Sequence, residues 1–366
     1  MNLSNFAYDY IEYYAEAAEQ LANWHVEALG FKIMAYCGPE TGDKSKVSFY
    51  LVKNCIKLVI TSECKSRLND IITFVDRHGD GVKRIAYRVD DVRRTFERSI
   101  TNGAMPINEP NYMENDLGKV HWASIRLFED IEIVFINYDA YSGIFIPGYE
   151  KISNEISTSS DSCLEHIDHI THALPENRSA PCANYLNSVF QSTVIQEFAK
   201  GEVTSKNSGL ILKVLKSEKD KITNVVVEPE NRLSQIQEFL DAFQGAGIQH
   251  IAFATSDIIA TAKFLRDAGV GINKHPRSYY EALKDELVLR QISLDVNMLE
   301  DCGALCDFQD DSYLLQIFTK PICDRPTFFY ELIQRVGGYV GFGAGNIRNL
   351  FQSVEAEQGT RKAGDS

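Results

Sequence analysis

No apolar run in the chain approaches the ~18 residues that would suggest a bilayer-spanning helix, so the sequence predicts no membrane span. Basic residues are in deficit: 37 Lys and Arg stand against 51 Asp and Glu, a formal charge of −14 at pH 7. Phosphate binding needs a concentrated basic face, which excludes nucleic acid and anionic membrane surfaces as main partners. The eight cysteines, spread from Cys37 to Cys323, contain no Cys-x-x-Cys pair. They predict reduced, mostly buried thiols in a cytoplasmic protein. The opening "MNLSNFAYDYIEYYAEAAEQ" is acidic and lacks the basic-then-apolar order of a signal peptide, in line with that expectation.

What the chain does have is internal repetition. Its 366 residues, 44% hydrophobic, suffice for two domains of ordinary size. "HGDGVKRIAYRVDDVRRTFERSITNGAMPI" and "QGAGIQHIAFATSDIIATAKFLRDAGVGIN" share a Gly-x-Gly turn, a short alternating strand, an acidic cap and an amphipathic helix. Each helix is expected to end at a glycine, Gly103 or Gly269. Upstream, the stretches beginning "YDYIEYY" and "HIDHITH" both read as a strand, a helix of about a dozen residues and a second strand. Between the halves, "KISNEISTSSDSC" is polar and serine-rich like a linker. The pattern predicts an α+β protein of two duplicated, sheet-rich domains. The expected bounds are residues 1–152, a linker at 153–163, and 164–366.

The histidines are few, eight in all, and three lie in "EHIDHITHAL". On a strand His169 points away from His166 and His172, so the trio cannot chelate one ion. The duplication singles out two. His169 stands where the first half has Tyr10, and His250 where it has Arg84. Two imidazoles leave a transition metal short of ligands, and "RPTFFYELIQR" offers Glu331 inside an apolar strand. Buried there, a carboxylate needs a cation or a donor; a solvent-facing Glu331, or one paired with Arg335, is the other reading. Glu132 in "IEIVFIN" stands as the first-half candidate counterpart of Glu331. Two His and one carboxylate leave adjacent coordination positions open, an arrangement suited to Fe(II) and O2.

At these residues the chain resembles the 4-hydroxyphenylpyruvate dioxygenase and 4-hydroxymandelate synthase family of the vicinal-oxygen-chelate superfamily. The resemblance runs through "ETGDKSKVSFYLVKN", "GIFIPGYE", "SQIQEFLDAFQGAGIQHIAF", "YLLQIFTKPICDRPTFFYELIQR" and "GFGAGNIRNLF". It implies βαβββ modules forming open, barrel-like sheets, with Fe(II) held by His169, His250 and Glu331 in the second half. It also implies an aryl 2-oxo acid and O2 as reactants, with no metal site in the first half; a homo-oligomer is compatible with it. Gln235, Gln249, Gln316 and Asn346 match polar positions of the site. Phe318, Phe329 and Phe342 match ring-packing positions, where ordinary core packing would hold equally. The glycine-rich run before "NIRNLFQSV" suggests a C-terminal helix hinged over the iron, with Ile347, Leu350, Phe351 and Val354 as one apolar stripe.

Three positions depart from the dioxygenase pattern. Ile347 stands where homogentisate-forming members usually have phenylalanine and mandelate-forming members isoleucine. Leu212 replaces a usual serine and Val227 a usual asparagine. The expected reaction therefore leans to benzylic hydroxylation of an aryl 2-oxo acid. Formation of homogentisate is the alternative, and a non-catalytic binding protein on the same fold is the alternative of another class. A less polar substrate such as phenylpyruvate, or another aryl or alkyl 2-oxo acid, fits the two lost polar groups.

Overall fold

In the computed structural model, residues 6–64, 70–152, 162–202, 209–217, 222–343 and 345–347 are described. The expected linker lies outside them except for Ser162 and Cys163, as does the apolar stripe of the last helix beyond Ile347.

Two mixed sheets form. The first contains β1 (Phe6–Tyr14), β2 (Lys32–Cys37), β3 (Lys46–Lys53), β4 (Ile56–Glu63), β5 (Gly81–Val89), β6 (Pro106–Asn115), β7 (Gly118–Phe128), β8 (Ile131–Tyr141) and the short β9 (Glu150–Lys151). The second contains β10 (Leu164–Ala173), β11 (Ser192–Phe198), β12 (Leu210–Ser217), β13 (Thr223–Pro229), β14 (Gly247–Thr255), β15 (Leu305–Gln309), β16 (Ser312–Phe318) and β17 (Phe329–Val336). Helices α1 (Ala18–Leu29), α2 (Asp70–His78) and α3 (Val92–Thr101) belong to the first half. The second half has α4 (Ser179–Phe190), α5 (Gln235–Phe243), α6 (Ile258–Asp267), α7 (Arg277–Arg290) and α8 (Val296–Cys302). No described helix is long and apolar enough to cross a membrane.

Strand order is β6-β7-β8-β5-β1-β4-β3-β2-β9 in the first sheet and β11-β12-β13-β10-β14-β17-β16-β15 in the second. Each half is thus two βαβββ modules whose first strands meet antiparallel, β1 with β5 and β10 with β14. In the second half α7 and α8 are inserted before β15. The repeated helices are capped alike: Asp91 accepts from the Arg94 amide and Asp257 from the Ala260 amide. The paired glycines of the two turns divide their work. Gly79 and Gly245 take positive φ, 75° and 144°, a region costly for a side chain. A Cβ on Gly247 would lie 2.5 Å from the Phe243 ring, and one on Gly81 would lie 3.0 Å from that same ring.

The main apolar core includes buried residues of both halves. Phe6 meets Phe190 edge-on at 5.2 Å, and Tyr13 meets Phe328 at 5.3 Å. Each such buried ring contributes about 1.5–3 kcal/mol of transfer free energy. A polar chain crosses the same junction: Tyr13 Oη lies 2.8 Å from Tyr330 Oη, which lies 2.6 Å from His25 Nε2. A smaller core, with Tyr10, Tyr50, Phe145 and Tyr149, fills the interior of the first sheet.

Register fixes the equivalences. Tyr8–Tyr87 corresponds to Ile167–Phe253, and Glu12–Arg84 to Thr171–His250, so Tyr10 matches His169 and Arg84 matches His250. Glu132 is corrected: it pairs with Arg84 as Phe329 pairs with His250, and the position of Glu331 is held by Val134. The lone carboxylate in each apolar run misled because the two stand two residues apart in register, on one face of the strand but at different positions along it. The thiol expectation is also revised. All eight cysteines are free, but only Cys37, Cys302 and Cys306 are buried.

Candidate metal centre

The centre sits where β10, β14 and β17 run side by side. Two β-bulges shape it. Register passes from Ile167–Phe253 to His169–Ala252, leaving Asp168 as the extra residue, and from Thr171–His250 to His172–Ile248, leaving Gln249 extra. A bulge re-aims the side chains beside it. Asp168 thereby comes to lie against His169, and Gln249 and His250, sequence neighbours, both line one cavity. His166 is exposed, and His172 bonds Asn224 at 2.9 Å. Only His169 of that trio lines the cavity.

Parallel pairing of β14 with β17 places Glu331 opposite Ala252, one strand from the imidazoles. Its Oε2 lies 3.1 Å from His169 Nε2 and 3.4 Å from His250 Nε2. One ligand atom from each of the three residues lies within 4.8 Å of the others, and all three residues are buried or nearly so. Cis ligands of a divalent ion bonded at ~2.1 Å lie ~3.0 Å apart, so the spacing and the donor types fit such an ion. A carboxylate this buried also needs a cation or donors to offset its charge.

The outer partners are built in. The Asp168 carboxylate lies 2.9 Å from His169 Nδ1, and Gln249 Oε1 lies 3.3 Å from His250 Nδ1. In each, an Nδ1–H donating to that oxygen would leave the Nε2 lone pair for a metal ion. Gln316 Nε2 donates to Glu331 Oε1 at 2.8 Å, and Asn346 Nδ2 donates to Gln316 Oε1 at 2.8 Å. A Cβ on Gly343 would fall 1.9 Å from that Gln316 oxygen, so glycine is what lets the C-terminal segment approach. Arg335 donates to both Asp168 oxygens at 2.8 and 2.9 Å and to the Gly341 carbonyl at 2.6 Å. Its guanidinium lies 4.9 Å from the Phe342 ring centre. Arg335 therefore pairs with Asp168, not with Glu331.

Charge follows from these contacts. Burial works to raise Glu331, but the two imidazoles outweigh it and hold the carboxyl at about 2. Burial works to lower His169, yet Glu331 and Asp168 hold it up at about 9. His250 is pushed down, chiefly by burial. Without a metal ion, a proton on His169 is the cation that the buried carboxylate requires.

The cavity opening from these three side chains is lined by Leu212, Val227, Gln235, Gln249, Gln316, Phe318, Phe329, Phe342 and Ile347, among others. Phe329 stacks on His250 at 4.8 Å, and Phe342 meets His169 edge-on at 5.4 Å. Asn346 reaches the centre through Gln316. Sequence reading missed Asp168, Arg335 as its partner, and Thr171, whose hydroxyl lies 2.9 Å from His250 Nε2. The acidic residue directly before His169 was the available signal.

Paired βαβββ modules and a buried two-histidine, one-carboxylate group define the vicinal-oxygen-chelate class. A glyoxalase from Novosphingobium aromaticivorans in its Mn(II)-bound form shares the fold, with 11% identity, a TM-score of 0.50, and 91% of this chain and 85% of that chain covered. A family model described as hydroxyphenylpyruvate dioxygenase, N-terminal, matches residues 2–143. The 4-hydroxyphenylpyruvate dioxygenase of Xenopus tropicalis is 33% identical over 97% of this chain and 92% of its own length. A probable 4-hydroxyphenylpyruvate dioxygenase 2 of Aspergillus fumigatus is 36% identical over 97% and 94%. A triple mutant of 4-hydroxymandelate synthase from Streptomyces coelicolor superposes with a TM-score of 0.86 at 27% identity, covering 97% and 100%. The chain belongs to the 4-hydroxyphenylpyruvate dioxygenase family.

Proposed function

We propose that the protein is an Fe(II)-dependent oxygenase that converts an aryl 2-oxo acid and O2 to CO2 and a hydroxylated acid one carbon shorter. One oxygen atom enters the new carboxylate and the other the hydroxyl group, so the substrate supplies its own reductant. The observation that carries this is the buried His169–His250–Glu331 group opening directly into an aromatic-lined cavity. Fe(II) bound there would supply the oxygen activation and accept the 2-oxo acid on its open positions.

The chain's own residues do the rest. His169, His250 and Glu331 would hold the ion beside the cavity that they line. Gln316 orients Glu331, and Asn346 fixes Gln316. Asp168 and Gln249 set the imidazole tautomers. Phe318, Phe329 and Phe342 confine the ring and exclude water. Of the two carbons open to hydroxylation, the benzylic one is favoured by Ile347, which is buried and lines the cavity where a phenylalanine would take more room. Homogentisate formation is the second reading, favoured by the dioxygenase names of the relatives. An intact ligand set with its outer partners speaks against a non-catalytic binding protein.

Anaerobic addition of Fe(II) and phenylpyruvate or 4-hydroxyphenylpyruvate is expected to give a weak visible charge-transfer band. Admission of O2 should then yield a mandelate; homogentisate as sole product would overturn the benzylic assignment. No band and no product with any aryl 2-oxo acid would overturn the oxygenase reading itself.

A further inference from the structure

The two halves give an internal record of how this scaffold handles a phenol. Ser48 faces Thr61 across β3 and β4 in the register in which Leu212 faces Val227 across β12 and β13. The neighbouring strands confirm the match, because Tyr14 pairs with Thr61 as Ala173 pairs with Val227. In the first half a phenol ring occupies the concave face: Tyr149, buried against Phe145. Its hydroxyl lies 2.6 Å from the Ser48 hydroxyl, Ser48 lies 2.7 Å from Thr61, and Thr61 donates to Glu12 at 2.8 Å. Position for position, the hydroxyl pair that holds a phenol in the first half is a Leu–Val pair in the second.

In the second half that pair lies within an apolar wall. Val225, opposite Thr171, is the wall residue beside the metal ligands. Val227 is two residues on, ~7 Å further along the strand. Leu210, Leu212, Val225 and Val227 all line the cavity and all are buried. Gln235 and Glu238 line the cavity from α5, and both remain partly exposed. A ring hydroxyl pressed against the β12–β13 wall would lose its water without gaining a side-chain partner from it.

From this we infer that the cavity selects a 2-oxo acid whose aromatic ring carries no para hydroxyl, a phenylpyruvate-type substrate. The inference rests on the oxygenase reading and deepens it. A hydrophobic pocket rejects an added hydroxyl by roughly a hundredfold at most. The expected kcat/KM for phenylpyruvate therefore exceeds that for 4-hydroxyphenylpyruvate by roughly tenfold to a hundredfold.

The test measures both acids with the Fe(II)-loaded full chain and with Leu212→Ser/Val227→Thr, which transplants the first-half pair. The double variant is expected to shift the ratio toward 4-hydroxyphenylpyruvate by about tenfold or more. Equal or better use of 4-hydroxyphenylpyruvate by the unaltered chain would overturn the inference, as would an unchanged ratio in a folded double variant. Should that variant not fold, anaerobic dissociation constants of the two acids for the unaltered chain decide the question: tighter binding of 4-hydroxyphenylpyruvate refutes it. Failure of the oxygenase reading looks different, because then neither acid is consumed.

Discussion

The two sheets surround their buried carboxylates with different side chains at one place. In the second half His250 and Glu331 face each other with room for a metal ion. In the first half the His250 position is Arg84, which reaches Glu12 at 2.9 Å and Glu132 at 3.1 Å. Lys83, the counterpart of Gln249, lies 3.3 Å from Glu132. Both halves keep bulges at matching places, after Tyr8 or Ile167 and after Glu12 or Thr171. Backbone geometry was retained while the side chains changed what neutralises the buried carboxylates. The fillings differ too. Phe145 follows Val134 at the interval at which Phe342 follows Glu331. In the first half Phe145 stacks on Tyr50 at 4.1 Å and helps close the interior, whereas Phe342 borders a cavity. A self-sealed copy and an open copy of one design make the difference between scaffold and site physically specific.

The largest effect is expected at Glu331. Glu331→Val, which installs the residue of the first half, should abolish metal binding and turnover. The loss should exceed the roughly 10- to 100-fold typical of an outer partner. Substituting outer partners should produce that smaller loss: Asp168→Asn or Gln316→Leu is expected to weaken Fe(II) affinity by about 10- to 100-fold, read by equilibrium metal titration. In the first half, Arg84→Met leaves Glu12 and Glu132 buried without their main cation. It should cost about 3–5 kcal/mol in denaturant unfolding while leaving Fe(II) affinity unchanged.

Two buried histidines without a candidate ligand role, His25 and His172, make stability depend on pH. Burial pushes His25 and His172 down to about 4. The unfolded chain binds these protons near pH 6.5 and the folded chain only near pH 4. Stability is therefore full above 6.5 and falls as pH drops toward 4, by up to about 1.4 kcal/mol per pH unit for each histidine. His25→Gln should flatten that slope in melts recorded across the window. The smallest expected effect is on product partition alone: Ile347→Phe should move product from mandelate toward homogentisate, read by chromatography, with metal affinity unchanged.

Much of this was legible in the chain because duplication supplies its own control. The Gly-x-Gly turns, the acidic caps and the exchange of Arg84 for His250 are local chemistry, and they placed two repeats and the histidine pair. Glu331 was visible as an anomaly of burial. What escaped depends on register across strands far apart in sequence. Asp168 comes to lie against His169 because of a bulge, and no alternation pattern announces a bulge. The match of Glu331 with Val134 rather than Glu132 needed the β5–β8 and β14–β17 pairings. The equivalence of Ser48–Thr61 with Leu212–Val227 likewise exists only once strands are paired.

Scaffold and site differ in which half can hold a metal ion. Equilibrium dialysis of the full chain against Fe(II) under anaerobic conditions, with metal analysis, tests it directly. One ion per chain is predicted for the unaltered protein and for Arg84→Met, and none for His250→Arg, which writes the first-half residue into the second. Retention of the ion by a folded His250→Arg protein, or its loss from a folded Arg84→Met protein, would contradict the assignment.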